Sequence, residues 1–205
     1  MKIMGISTIF GLSLLMTVSA YAIDPGDIVG AWLFDGDATD SSGNGLDGTV
    51  VGGVEFAEGM IGQAINLNGT DAWVEVPDLG TFEQVTVATW AKCTGRTGAW
   101  RVIFTVNGWS AGVLHHQLYS NNVIGFSINS NPGGNDSQSS FMFDDSQLDV
   151  WHHLATVYNS NEAWVRFYVD GELDVQNDWG GNPVVLNAGR IGSWDGGGRE
   201  LAGHV

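Results

Sequence analysis

One cysteine, Cys93, stands alone in the chain, so no disulfide can close within it and stability must come from elsewhere. Cations are almost as scarce: seven Lys and Arg face 23 Asp and Glu, for a formal net charge of −16. Such a surface repels nucleic acid and anionic membranes and favours cations, and it also keeps an exported protein soluble. Long helical periodicity is missing, which excludes a helical bundle. Catalytic signatures are missing too. There is no Gly-x-Ser-x-Gly elbow, and Cys93 has no evident activating partner, so it reads as a small buried hydrophobe. The glycines at Gly95–Gly98 and Gly196–Gly198 precede neither a Lys-Ser/Thr pair nor a helix and are turns, not phosphate loops.

The first 22 residues read as an export signal. Lys2 supplies the positive start, Ile3 to Val18 is uncharged and mostly apolar, and Ala20-Tyr21-Ala22 offers small residues at the two cleavage-determining positions. The apolar stretch is shorter than the ~20 residues a spanning helix needs. Cleavage after Ala22 therefore leaves residues 23–205 as one secreted or cell-surface domain, with a periplasmic location as a variant and no membrane insertion after cleavage.

What is abundant is equally directive. Thirty Gly and nine Trp suit tight turns and an aromatic-rich β protein. Short runs of Val, Ile, Trp, Phe and Thr recur between Gly/Asn/Asp clusters, the pattern of an all-β, antiparallel two-sheet sandwich. Strands are expected at 28–35, 47–51, 63–68, 72–77, 84–92, 101–106, 112–118, 122–129, 139–143, 150–158, 163–170, 172–176, 188–194 and 201–205. In 84–91 the set Val85, Val87, Thr89, Ala91 takes one face, and Thr86, Ala88, Trp90 takes the other with Lys92. Both sets are small or apolar, which marks a central strand. Residues 130–140 are expected to be an exposed loop.

Several segments, in order, resemble a concanavalin A-like, laminin-G-type jelly roll. They are Gly30–Asp35 with the Asp40–Gly48 loop, Gly62–Gly69 with Trp73–Pro77, Phe82–Trp90, Trp151-His152-His153-Leu154-Ala155 and Phe167–Gly171. The resemblance implies a β-sandwich that mostly supports binding and occasionally catalysis. In such domains a segment like Leu201–Val205 leads into an acidic pair and a last strand beside the first. Here the chain stops at Val205, so the resemblance implies a domain lacking its C-terminal strand. Strand 28–35 would then be left with an open edge, an aggregation liability or a docking place for another segment.

Three groups of residues are candidates for chemistry. The loop Asp40, Ser42, Asn44 with Gly43 and Gly45, together with Asp35 and Asp47, places oxygens at alternate positions as a Ca²⁺ loop does. The twelfth position of an EF-hand would be Val51, so it is no EF-hand, and an Asx-turn loop bonded to its own backbone is the alternative. Glu172 and Asp174 approach the paired carboxylates of retaining jelly-roll glucanases, but Gln176 or Asn177 stands where the acid/base would be. Lastly, Trp32, Trp73, Trp90, Trp151 and Trp164 lie within strands and are assigned to core or inter-strand packing. Trp100, Trp109, Trp179 and Trp194 flank loops, where they either stack on sugar faces or fold over the sandwich end.

The pairs His115-His116 and His152-His153 point to opposite faces of their strands and cannot chelate one metal together. The expectation is a non-catalytic recognition module for glycan or extracellular protein with structural Ca²⁺. A divergent glycoside hydrolase and a structural adhesion domain are the alternatives.

Overall fold

The computed structural model describes residues 23–95 and 99–205; the leader expected over residues 1–22 lies outside the described residues. The structure is almost wholly β, with one short 3-10 turn at Pro25–Asp27. No helix among the described residues is long and apolar enough to cross a membrane.

One seven-stranded sheet, here the front sheet, comprises β1 (Thr49–Val51), β4 (Trp73–Val76), β7 (Arg101–Val106), β8 (Leu114–Leu118), β9 (Val123–Ile128), β10 (Asp136–Met142) and β15 (Gly189–Ile191). Its spatial order is β1-β4-β15-β7-β8-β9-β10. The back sheet comprises β2 (Glu55–Glu58), β3 (Gln63–Asn68), β6 (Gln84–Cys93), β11 (His152–Asn159), β12 (Trp164–Val169), β13 (Glu172–Asp178) and β16 (Ala202–His204). Its order is β13-β12-β11-β6-β16-β3-β2. A small third sheet pairs β5 (Gly80–Phe82) with β14 (Val184–Leu186). Strand neighbours throughout are antiparallel. This is the expected jelly-roll sandwich.

The two inner faces bury one core in which Phe126, Tyr158, Phe143, Phe167, Ile65 and Leu154 are almost completely enclosed. Each such side chain contributes roughly 1.5–3 kcal/mol over exposure. Cys93 is buried in this core, as expected, and burial pushes its thiol up to about 11. The sheets are also stitched along one side. Asp174, left over at a bulge where β13 slips against β12, turns outward and accepts hydrogen bonds from Ser140 N (2.7 Å) and Phe141 N (3.1 Å) near the end of β10.

Three expectations need correction. The 28–35 stretch is not a strand: Trp32 makes an isolated bridge to Asp40, and Phe34 adopts φ 57° to drop its ring into the core, which breaks the extended run. The 130–140 loop gives way to β10 from Asp136. Its buried Ser137 and Ser139 lack apolar alternation but find hydrogen-bond partners, Ser139 Oγ accepting from Ile124 N and donating to Phe141 O. The strand tryptophans Trp73, Trp151 and Trp164 are only partly buried and lie under cations, with Arg190, Lys92 and Arg166 at 4.7, 5.1 and 4.1 Å from the ring centroids.

Candidate functional site

The Asp40–Asp47 loop is closed by its own hydrogen bonds. Asp40 Oδ1 accepts from Ala31 N and Ser42 N, both at 2.9 Å, while Oδ2 accepts from Ser42 Oγ (2.7 Å) and Leu46 N (3.0 Å). Asp47 Oδ1 accepts from Asp40 N, and the Asn44 amide donates to the carbonyls of Ile28 and Val29. Partial burial alone would raise the Asp40 pKa, but the bonds from Ala31, Ser42 and Leu46 outweigh it and hold the carboxyl at about 2. Asp35 faces elsewhere, accepting from Gln63 N at 2.7 Å.

Among the described residues no three His, Cys, Asp or Glu side chains converge on a cation position. The donors that satisfy Asp40 are those a cation would have to displace, so Asp35, Asp40, Ser42, Asn44 and Asp47 as arranged do not fit Ca²⁺. They form an Asx-turn lock that joins residues 28–31 to the loop.

The loop tryptophans separate sharply. Trp179 is 6 % exposed, packs edge-on to Phe126 and Tyr158, and donates Nε1–H to Gly134 O at 2.8 Å, so it belongs to the core and offers no face to a sugar. Trp109, in contrast, is 57 % exposed. Its ring stacks on His115 at 4.6 Å and meets the edge of Trp194 at 5.4 Å. Trp100 lies against Tyr119 at 4.7 Å.

Between these three rings sits Arg199, its guanidinium 4.9 Å from Trp100, 5.5 Å from Trp109 and 4.5 Å from Trp194. It donates from Nη1 to Gln117 Oε1 at 3.0 Å. No carboxylate among the described residues forms an ion pair with it. Burial pushes the Arg199 pKa down, a shift that still leaves the cation charged.

This cluster covers the outer face of β7, β8 and β9. Registers Thr105↔His115, His115↔Ser127 and Ser127↔Asp136 put a polar floor there. Tyr119 lies flat over Gly125, where a Cβ would stand 2.0 Å from the ring, so no larger residue fits. Its hydroxyl reaches Ser127 Oγ (2.8 Å) and Asp136 Oδ1 (3.1 Å), and Ser127 donates to Asp136 at 2.6 Å. His115 is fully buried beneath Trp109. Neither of its ring nitrogens completes a hydrogen bond, although the Gly108 backbone lies close. Burial, with the Arg199 charge second, pushes its pKa down to about 4, so the imidazole is neutral.

The loops bearing the rings are fixed rather than loose. Gly108 N donates to Asp195 Oδ2 at 3.1 Å, joining the Trp109 loop to the Trp194 loop, and Val102 N donates to Arg199 O at 2.9 Å. Sequence reading singled out Trp100, Trp109 and Trp194, named His115 only as one of a pair unable to chelate a metal, and missed Arg199 and Gln117. The available signal was a single arginine just after a glycine run in a chain poor in cations.

The remaining candidates have structural roles. Glu172 is exposed at the start of β13, and Asp174 is the clamp already described. His116 lies in the core, bonded to Thr156 Oγ1 at 3.0 Å, and burial pushes its pKa down to about 4. His152 Nδ1 pairs with Asp170 Oδ2 at 2.9 Å, securing the turn that follows β12.

No curated protein sequence matches the chain. Among solved structures, domain 4 of AbnA, a GH43 extracellular arabinanase from Geobacillus stearothermophilus determined with arabinotriose, is 21 % identical. The match covers 83 % of this chain and 85 % of that one, with TM-score 0.63. The binding domain of Paraclostridial Mosquitocidal Protein 1 is 16 % identical over 85 % of this chain and 44 % of its own, TM-score 0.61. The receptor-binding domain of botulinum neurotoxin type G is 13 % identical over 82 % and 41 %, TM-score 0.59. Identities this low carry the fold and nothing finer. A family model spans residues 68–205, and with it the chain is placed as a member of the concanavalin A-like lectin/glucanases superfamily.

Proposed function

We propose that the chain is an exported, non-catalytic glycan-recognition module that takes its ligand on the Trp109 face of the front sheet. The carrying observation is the state of Trp109: a large ring more than half exposed, yet held rigid by stacking on buried His115 and by the edge of Trp194. Exposed aromatic faces ordinarily cost solubility unless they have a use. A preset ring loses little freedom on binding, and sugar C–H faces stack on such rings. Arg199 and the floor beside it supply fixed polar groups for hydroxyls. The arabinotriose bound by a domain of the same fold makes oligosaccharides the first ligand class to test. The self-closed Asp40 loop means that this reading needs no calcium.

The test is affinity electrophoresis and calorimetry against a polysaccharide panel that includes arabinan, with reducing-sugar release measured alongside. Retention without sugar release is expected. Trp109→Ala should abolish retention while leaving the melting temperature within a degree or so. Failure of every glycan to retard the protein, or retention indifferent to Trp109→Ala, would overturn the proposal.

A further inference from the structure

Seven Lys and Arg serve the whole chain against 23 Asp and Glu, so an arginine without a carboxylate is out of keeping with the composition. Arg190, on the same outer face of the front sheet, has its partner. Register sets it opposite Glu75, and its Nη2 lies 3.4 Å from Glu75 Oε1. Arg199 has no such partner among the described residues. Asp136, whose charge it senses, is held instead by the hydroxyls of Tyr119 and Ser127, and Asp195 is held by Gly108 N.

The Arg199 guanidinium is half-buried and fixed. Buried Gln117 accepts from Nη1 at 3.0 Å, and Val102 N ties the arginine's own carbonyl to β7. The bond to Gln117 uses one corner of the planar fork. Nε and Nη2 make no hydrogen bond among the described residues, yet neither is sealed from solvent. Together they form the side edge of the guanidinium, two parallel N–H donors that match the two oxygens of a carboxylate. Three indole rings at 4.5 to 5.5 Å steady the cation through their π faces but accept none of those protons. The rings also keep water away, and an ion pair made in such surroundings is stronger than one in bulk solvent.

Trp109 and Arg199 lie close enough to act on one sugar residue. The exposed indole suits the C–H face of a pyranose, and the open guanidinium edge suits an anion at the rim of that ring. A hexuronate has this form, because its carboxylate is equatorial and projects from the ring edge. In a sialoside the carboxylate is axial and stands off the ring plane.

We infer that Arg199 makes this face selective for acidic glycans: the bound sugar is a uronate that stacks on Trp109 and sets its carboxylate on the Nε–Nη2 edge. The inference rests on the glycan-binding reading above and adds the ligand class to it. The net charge of −16 is no obstacle, since charges beyond about 8 Å are largely screened at physiological ionic strength.

The test is calorimetry on the whole chain with a galacturonate trimer, its methyl ester and the carboxyl-reduced galactose trimer. The galacturonate should bind at least about tenfold tighter than either neutral form. Arg199→Gln should erase that difference, and Arg199→Lys, which keeps the charge without the fork, should recover only part of it. Two further arms, sialyllactose against lactose and a sulfated galactose trimer, cover the other sugar carboxylate and a tetrahedral anion. Equal binding of the three trimers decides against the inference. So does a preference that survives Arg199→Gln, full recovery with lysine, or tighter binding in the sialyl or sulfate arm. Arabinan retained through Trp109 with no galacturonate bound sinks the uronate assignment and leaves the glycan-binding reading standing; no binding of any glycan sinks both. Should the Arg199 variants fail to fold, the ester and the reduced trimer still decide on the unmodified chain.

Discussion

The outer face of the front sheet and the middle of the back sheet treat exposed apolar surface in opposite ways. Over β7 to β9, Trp109 is exposed but braced by His115, half-buried Trp100 rests on Tyr119, and Arg199 lies among Trp100, Trp109 and Trp194. Along β6, Val85, Val87 and Thr89 are only partly buried, and among the described residues the strand's edge toward β16 is paired only at Lys92 and Cys93. Exposure over strands whose backbone ladder is paired marks a surface built to meet solvent and ligand. Exposure with unpaired backbone marks an open sheet edge. The distinction is visible only when side-chain accessibility and ladder pairing are considered together.

Acid should break the comparison most strongly. His115 and His116 titrate near 4 in the folded chain and near 6.5 when unfolded. Between those values the unfolded chain binds more protons, so stability falls as pH drops from about 6.5 toward 4. The loss is on the order of 5 kcal/mol for the pair, counted as an upper value. Both residues belong to β8, so chemical denaturation followed across that range should show the front sheet losing protection; a flat profile would mean the imidazoles are not held neutral. Asp40, held at about 2, adds a second and lower window. Its folded pKa is depressed, so its contribution is complete above about pH 4 and disappears as pH falls through 2.

Core truncations sharpen the contrast next. Phe126→Ala, in the closed front sheet, should cost about 4 kcal/mol in urea unfolding. Val87→Ala, beside the open edge of β6, should cost about 1 kcal/mol or less, because its methyls are already partly in water. Equal costs would show that the β6 edge is as well packed as the rest. The two loop tryptophans make a matched pair of the same kind. Trp179→Ala should lower stability by about 3 kcal/mol, whereas Trp109→Ala should change it by roughly 0.5 kcal/mol or less. The smallest expected effect is that of calcium. Millimolar Ca²⁺ followed by chelator should leave the melting temperature unchanged, since a ligand bound only by the folded state would raise it. A rise of several degrees that Asp40→Ala abolishes would reinstate the cation.

Period-two alternation made most of the sandwich legible. The strands expected at 63–68 and 101–106 are β3 and β7 to the residue, and the division of β6 into two faces holds. Three strands escaped notice. β2, β5 and β14 are three or four residues long, too short for alternation to stand out from the surrounding turns. The reverse error at 28–35 has a different cause: its apolar content is real, but Phe34 buries itself through a left-handed backbone instead of a straight strand.

Site residues were legible in type more than in place. Alternation tells which side chains share a face but not what covers that face, so Trp73 and Trp164 are expected in core or inter-strand packing, whereas they lie half-buried under arginines. Trp179, beside a glycine pair, was assigned to the rim although it is a core residue. Arg199 carried no motif, and its role emerges only where three distant loops meet.

The two rungs at Gly203 and His204 have a mechanical consequence. They are the back sheet's sole backbone ladder between the four strands β13-β12-β11-β6 and the three strands β16-β3-β2 among the described residues. A sheet joined so sparingly behaves as two cooperative units sharing one core, and the smaller unit is the one that loosens first. Tension applied through the C-terminus would load that seam directly, peeling β16 away before the tryptophan face is disturbed.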